Sequence, residues 1–271
     1  MSVTCSVIVP THDRPAMLAD AVLSVLGQRV STVECIVVDD GSRPPVDLAG
    51  DRRLVVLRRP DAGGPAAARN MGLSAATGDV VAFLDDDDVL VPERLDLALA
   101  GLERAPVAIC ADAPLDDPGA SGSGRRLEGR VHDVILDATT PQLGATAVRR
   151  SDVVAFDEAY LGCEDVDWWL RMSERAAVTT VARVGLLVRR HGGDRGLAGT
   201  RARIDGSLRL LDQHGAYFAT HPRALAFRWR RIGIMAASVG DHAEARRAQV
   251  RSLRARPSVR SAVHLARTLR A

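Results

Sequence analysis

Four consecutive carboxylates, Asp85-Asp86-Asp87-Asp88, follow directly on the apolar run Val80-Val81-Ala82-Phe83-Leu84. Packing four like charges at a strand end costs free energy through mutual repulsion, and a bound cation relieves it. Oxygen-only donors select a hard divalent ion, Mg²⁺ or Mn²⁺, of the kind that bridges to phosphate. A solvated acidic turn is the bland alternative. Two further polar turns weigh against it. Thr11-His12-Asp13-Arg14 follows the run Ser6–Val9 and Pro10, and Asp39-Asp40-Gly41-Ser42 ends the run Val33–Val38. If these runs are parallel strands, all three turns lie at their C-terminal ends, where open α/β sheets bind ligands.

The elements that must position these groups are readable from the apolar pattern. Leu18, Val22, Val25 and Leu26 fall on one helical face behind Pro15, which suits a first helical turn with Asp13 or Arg14 near the cap. Leu54–Leu57 is a third strand, Gly63-Gly64-Pro65 opens a helix through about Ala76, and Gly78 closes it. Strand, helix, strand, strand, helix, strand within about 85 residues predicts an α/β unit with a mainly parallel sheet. Pro92–Arg104 is another helix and Val107–Ala111 another strand. Asp112–Gly129, rich in Asp, Gly, Ser and Pro, reads as a mobile loop over the strand ends. Gly144–Val148 and Val178–Val188 read as strands, and Glu164-Asp165 opens a helix whose first turn favours acids. Beyond Leu197 the pattern becomes Arg-rich helices, the last two separated by Pro257. In the last of them Val259, Val263, Ala266 and Leu269 form a stripe expected to pack inward.

The composition, 46% hydrophobic and 26% charged over 271 residues, is that of a soluble globular protein with ample core. All 36 basic residues are Arg, so no Schiff-base or general-base Lys is available. The net charge of +2 hides an asymmetry: 12 Arg stand against Asp241 and Glu244 from Arg223 onward. The cysteines at 5, 35, 110 and 163 form no CxxC pair, which argues against zinc or redox chemistry and suits a reducing cytoplasm. The chain reads directly into a strand and has no long apolar stretch, so neither a signal peptide nor a membrane-spanning helix is expected.

Laid out in order, these residues resemble family 2 glycosyltransferases over roughly residues 3–195. The resemblance rests on Ser6-Val7-Ile8-Val9-Pro10-Thr11, Val38-Asp39-Asp40-Gly41-Ser42, Gly63-Gly64-Pro65-Ala66-Ala67-Ala68-Arg69-Asn70 and Phe83-Leu84-Asp85-Asp86-Asp87-Asp88. It continues through Pro92-Glu93-Arg94-Leu95, Phe156-Asp157-Glu158 and Cys163-Glu164-Asp165-Val166-Asp167-Trp168-Trp169-Leu170-Arg171. It implies the GT-A fold, Rossmann-like with a mainly parallel sheet flanked by helices, and a C-terminal helical extension. The expected divisions are a transferase domain over 1–197, its nucleotide-binding half about 1–111 and its acceptor half about 112–197, with the extension over 198–271.

The implied activity is inverting sugar transfer from a nucleotide sugar, UDP-linked before dTDP- or GDP-linked, assisted by Mn²⁺ or Mg²⁺. Pro10, Thr11, His12, Asp13 and Arg14 are expected around the nucleotide, where His12 offers a planar face in place of the family's usual Tyr, and Asp13 replaces its usual Asn. Asp40 would accept a hydrogen bond from uracil N3–H, with Asp39 shaping the loop or reaching the ribose. Arg69 would take the diphosphate through charge-assisted bonds. Asp87 is the expected metal ligand, Asp85 binds metal or ribose, Asp86 assists, Asp88 is structural, and His191 completes the metal shell. Asp165 is the expected base, with Glu164 orienting it or binding acceptor. Trp168 and Trp169 form core or pocket wall, and one could stack on an acceptor sugar. Expected partners are the donor and an acceptor glycan, lipid-linked glycan or small molecule. The Arg-rich segment could meet an anionic membrane at the cytoplasmic face, and no nucleic acid is expected. The competing readings are a sugar nucleotidyltransferase, which would need a glycine-rich phosphate loop that Pro10–Pro15 lacks, and a nucleotide-sugar or nucleic-acid binder without transfer activity.

Overall fold

The computed structural model describes residues 3–30, 32–48, 50–190 and 196–270, so His191 lies outside it. The chain divides into two compact units. The first is Met1–Val131 with Pro141–Glu158 and Arg171–His191, and the second is His132–Thr140 with Ala159–Leu170 and Gly192–Ala271.

The first unit is built on one eight-stranded sheet. Its strands are β1 (Cys5–Thr11), β2 (Val33–Asp40), β3 (Leu54–Arg59), β4 (Val80–Phe83), β5 (Val89–Leu90), β6 (Val107–Pro114), β7 (Thr146–Arg149) and β8 (Val178–Val188), in the order β3-β2-β1-β4-β7-β6-β8-β5. β3, β2, β1 and β4 run parallel, as do β6 and β8, whereas β7 and β5 join antiparallel. The central strands are continuous apolar runs because both faces are covered: Cys5, Val7, Ile8, Val9, Cys35, Ile36 and Val37 are fully buried. Helix α1 (Pro15–Leu26) buries Leu18, Ala21, Val22 and Val25. Helix α2 (Pro65–Ala75) buries Ala66, Ala67, Ala68 and Gly72, small residues that admit close approach to the sheet. A methyl on Gly72 would run into the Ile8 side chain of β1. Helix α3 (Arg94–Leu102) buries Leu95, Leu97 and Ala98.

Three local readings change. β6 continues three residues past Ala111, because Asp112, Ala113 and Pro114 pair with Leu186, Leu187 and Val188 of β8. The following segment is tied back by the Asp112–Ser123 bridge and, further on, by Gly129 against Val178. The run read as a strand from Gly144 begins as a 3-10 turn, Leu143–Ala145, before β7.

Helix α4 (Glu164–Arg175) starts in the second unit. There α5 (Gly196–Gln213), α6 (Gly215–Thr220), α7 (Pro222–Ser238), α8 (His242–Ala255) and α9 (Val259–Arg270) follow, with Pro257 between the last two. Ile204, Ile232, Ala236, Ala245 and Ala248 form their core, with Leu208, Leu211 and Trp229 packed against it. Asp241 caps α8 by accepting the Glu244 N–H at 2.9 Å. The inward stripe expected for α9 is overturned. Val259, Val263 and Ala266 are exposed, with Ala262 beside them; among the described residues of the helix Ser261 and Thr268 are buried, and the Leu269 side chain lies outside the described residues. The polar side packs because it finds hydroxyl partners on α8. Among the described residues, no helix is long and apolar enough to cross a membrane.

Candidate active site

In the first unit, β1, β2 and β4 end on the same edge because they are parallel and in register, Thr11 beside Asp39 and Ile8 beside Phe83. Each strand hands its polar turn to that edge, and the turns are stitched together. At the end of β1, the Thr11 hydroxyl donates to Asp86 Oδ2 at 2.7 Å. His12 Nδ1 lies 2.8 Å from the Asp40 carbonyl. Asp13 adopts φ 55°, with its N–H donating to Ser42 Oγ and its Oδ1 accepting the Arg43 N–H. Pro10 continues the strand opposite Val38. Arg14 bridges the tetrad, donating from Nη1 to Asp86 at 3.1 Å and Asp87 at 2.9 Å.

At the end of β2, Asp39 is almost fully buried and accepts from the Ser42 and Val46 N–H groups and from Arg58. Burial alone would raise its pKa, but those hydrogen bonds and the Arg58 charge hold it below the ordinary value. Asp40 accepts the N–H groups of Gly63 and Gly64, the latter at 2.7 Å, with the Arg59 guanidinium 2.8 Å away. Gly64 is required there, at φ 86°, whereas a methyl on Gly63 would displace the flexible end of the Arg59 side chain that pairs with Asp40.

The tetrad divides. Asp88 N–H donates to the Asp85 carbonyl at 3.1 Å, closing a turn that curls the fourth residue back toward the first. Carboxylate oxygens of Asp85, Asp87 and Asp88 consequently all lie within 4.8 Å of one another. Asp86 points away, to Thr11 and Arg14. Arg69, buried on α2, donates to Asp85 Oδ1 at 2.7 Å and lies over the Phe156 ring. Asp88 accepts the Arg189 N–H at 2.9 Å. Burial pushes its carboxyl up to about 7, with the Asp85 and Asp87 charges adding to the effect. Asp86 is likewise raised, by burial first, against the lowering from Thr11 and Arg14.

Three converging carboxylates with crowded charge are the donor set a hard divalent cation takes, so the residues present fit Mg²⁺ or Mn²⁺. Among the described residues this is the single acidic or histidine cluster so arranged. His191, two residues beyond Arg189, lies outside the described residues.

Sequence reasoning missed Arg58, Arg59 and Arg189, and it assigned Asp88 a structural place only. The arginine pair had a signal. Asp39 and Asp40 sit directly opposite Arg58 and Arg59 once β2 and β3 are aligned. A further support is Asn70, whose amide donates to the Phe156 carbonyl at 2.9 Å and accepts the Phe156 N–H at 2.8 Å, with Glu158 also in reach. Arg171 holds the same loop at the Ala155 carbonyl.

In the second unit, Glu164 and Asp165 form the first turn of α4, Glu164 buried and Asp165 half-buried. Cys163 enters the helix at φ 67°, its thiol against Ser207 Oγ at 3.3 Å. Asp167 is fully buried, 2.8 Å from His214 Nε2. Trp168 and Trp169 are fully buried, edge to face at 5.3 Å.

Residues 6–148 match glycosyl transferase family 2. A pre-mycofactocin glycosyltransferase of Mycobacterium tuberculosis is 34% identical over 206 residues, covering 69% of this chain and 42% of the relative. The succinoglycan biosynthesis protein ExoW of Rhizobium meliloti is 38% identical over 109 residues, covering 36% of this chain and 34% of its own. The chain thus spans well under half the length of these relatives. Among solved structures, S. aureus TarS 1-349 in complex with UDP-GlcNAc superposes with a TM-score of 0.62 at 16% identity over 97% of this chain and 92% of that one. The mannosyltransferase PcManGT of Pyrobaculum calidifontis, in complex with GDP-Man and Mn²⁺, gives 0.61 at 17% identity over 100% of this chain and 80% of that one. The fold is that of the GT-A glycosyltransferases, and the chain belongs to glycosyl transferase family 2.

Proposed function

We propose that the chain is an inverting glycosyltransferase that moves a sugar from a nucleotide donor, UDP-linked in preference to dTDP- or GDP-linked, to an acceptor hydroxyl. The observation that carries this reading is the Asp85–Asp87–Asp88 cluster at the end of β4, flanked by Arg69 and Arg14. Such an arrangement suits a diphosphate. The carboxylates hold a divalent cation, and the guanidiniums, now paired with Asp85 and Asp87, can turn to phosphate oxygens. Family membership and the relatives named for glycosyl transfer point the same way. Two solved neighbours hold nucleotide sugars, one of them with Mn²⁺.

The base of the nucleotide is assigned to Pro10–Asp13 and the β2 turn. A carboxylate offers about four acceptor sites; Asp40 accepts the Gly63 and Gly64 N–H groups and pairs with Arg59, so a uracil N3–H would take the remaining site or displace the Arg59 pairing. Asp39 orders that turn, and Asp85 and Asp86 serve the ribose side of the donor. When bound, Mn²⁺ or Mg²⁺ at Asp85 and Asp87, with His191 as a further ligand, neutralises negative charge on the diphosphate.

Asp165 takes the acceptor O–H proton as that oxygen bonds to the anomeric carbon. The carbon–phosphate-oxygen bond breaks on the opposite face, and its electron pair leaves with the nucleoside diphosphate. Glu164 orients the acceptor, and Trp168 and Trp169 stiffen α4 behind both acids. Donor binding is assigned to about 1–111 and acceptor binding to about 112–197. The Arg-rich 198–271 segment attracts the protein by charge to anionic lipid at the cytoplasmic face. The acceptor is a glycan, a lipid-linked glycan or a small molecule.

Thermal shift with UDP, UDP-GlcNAc and GDP-mannose, each with and without Mn²⁺, tests the reading. A metal-dependent rise in melting temperature is expected with UDP compounds. No shift with any nucleotide would sink it.

A further inference from the structure

Helix α9 buries hydroxyls and exposes valines. Among its described side chains Ser261 and Thr268 are buried with Leu265 half-buried between them; Ser261 lies 2.8 Å from Ser252 Oγ of α8, and Ser252 donates to the Ala226 carbonyl of α7 at 2.8 Å. Ser258 donates to Ser261 at 2.9 Å, so these polar groups are satisfied without water. Outward, Val259 is 81% and Val263 44% exposed, and Ala262 and Ala266 are exposed beside them. Positions 259, 262, 263 and 266 follow the i, i+3, i+4, i+7 spacing of one continuous face. Helices bury such faces when the protein's own core can take them, and here the core takes the serine side instead.

The charges around the stripe select its occupant. Arg260 and Arg267 are exposed next to it. Residues 245–271 contain eight Arg and no Asp or Glu. Burial lowers the pKa of Arg230, and the charges of Arg260 and Arg231 lower it further. Arg230, Arg231 and Arg260 thus lie close enough for their charges to repel. A second copy of the chain would bring the same cations onto themselves across a two-fold axis. A polyanion in solution would leave the valines in water. An anionic bilayer accepts both features, apolar side chains below the headgroups and guanidiniums on the phosphates.

We propose that α9 lies in the headgroup layer of an anionic membrane, with Val259, Ala262, Val263 and Ala266 inserted and Arg260 and Arg267 on lipid phosphates. This goes beyond attraction by charge alone and does not depend on the transfer chemistry.

The test is co-sedimentation of the full chain with phosphatidylglycerol and with phosphatidylcholine vesicles at low salt and at about 0.5 M NaCl, where the screening length falls to a few ångströms. Binding to phosphatidylglycerol only is expected, with a fraction that survives high salt. Val259→Asp with Val263→Asp should remove the salt-resistant fraction. Arg260→Glu with Arg267→Glu should weaken low-salt binding at least about thirtyfold, at roughly 1 kcal/mol for each of the two arginines lost. These side chains are exposed, so helix content by circular dichroism should be unchanged. UDP binding, measured on the same samples, should also be unchanged. Failure to bind phosphatidylglycerol at low salt would overturn the proposal. So would complete release of the unmodified protein by salt, which leaves charge without insertion. A concentration-dependent dimer abolished by the valine substitutions would overturn it too, by assigning the stripe to a second copy.

Discussion

The acidic sheet edge and the arginine-rich helices treat charge in opposite ways. At the edge each of these acids has a partner: Asp39 has Arg58, Asp40 has Arg59, Asp85 has Arg69, Asp86 and Asp87 share Arg14, and Asp88 accepts the Arg189 backbone N–H. In the last helices the acids are already committed. Asp241 caps α8 and Glu244 pairs with Arg247 at 2.7 Å, and the remaining arginines exceed them several-fold. Matched charge holds loops in place while its cations stay available for exchange onto a ligand. Unmatched charge leaves a field for something large to neutralise. One arrangement suits a small anionic substrate, and the other suits a surface.

The sharpest breaks of this contrast lie in the chemistry. Asp165→Asn should keep UDP binding and lower transfer about 10²- to 10⁴-fold, read by single-turnover sugar transfer. Normal turnover would mean that Asp165 is not the base. Asp87→Ala should abolish the Mn²⁺-dependent part of the UDP thermal shift. An unchanged shift would remove Asp87 from the metal.

A smaller effect tests the matched pairs as structure. Asp39→Asn should cost about 2 kcal/mol in urea unfolding, because a charged acceptor of three donors is lost. Asp39 has a lowered folded pKa relative to an ordinary 3.8, so its contribution is present above that value and fades as pH falls through the lower folded one. The stability gap between wild type and Asp39→Asn should therefore shrink between about pH 5 and pH 2. A gap independent of pH would contradict the assignment.

The smallest effect tests the reversed helix. Val259→Asp should change stability by less than about 0.5 kcal/mol. Ser261→Val should cost about 1 kcal/mol or more, by removing the acceptor of the Ser258 hydroxyl and the hydrogen bond to Ser252. The opposite order would mean that α9 packs by its apolar stripe after all.

What was legible in the sequence follows from how local the cause is. β1, β2 and β4 announce themselves because strands buried on both faces must be apolar throughout, and each polar turn follows immediately. The two-residue β5 has too little pattern to detect. The direction of β7 depends on which neighbours it finds. In the tetrad, the family resemblance paired Asp85 with Asp87, whereas Asp88 joins them through a turn hydrogen bond that no alternation rule foresees. The counter-ions Arg58 and Arg59 became visible only through the register of β3 on β2. For α9, periodicity put Val259, Val263 and Ala266 on one face but directed that face inward, and the structure exposes it. That was decided by a serine ladder, since Ser252 and Ser261 can satisfy each other and Val263 has no comparable partner inside.

Asn70 has a consequence for exchanging loops in this fold. By donating to the Phe156 carbonyl and accepting the Phe156 N–H, it imitates one rung of a β-ladder from the side of a helix. The loop Ala155–Glu158 is thereby keyed to α2, far away in the chain. A loop exchanged from a relative would arrive without its key unless the helix residue travelled with it. Chimeras in this fold should therefore be cut so that α2 and that loop come from the same parent.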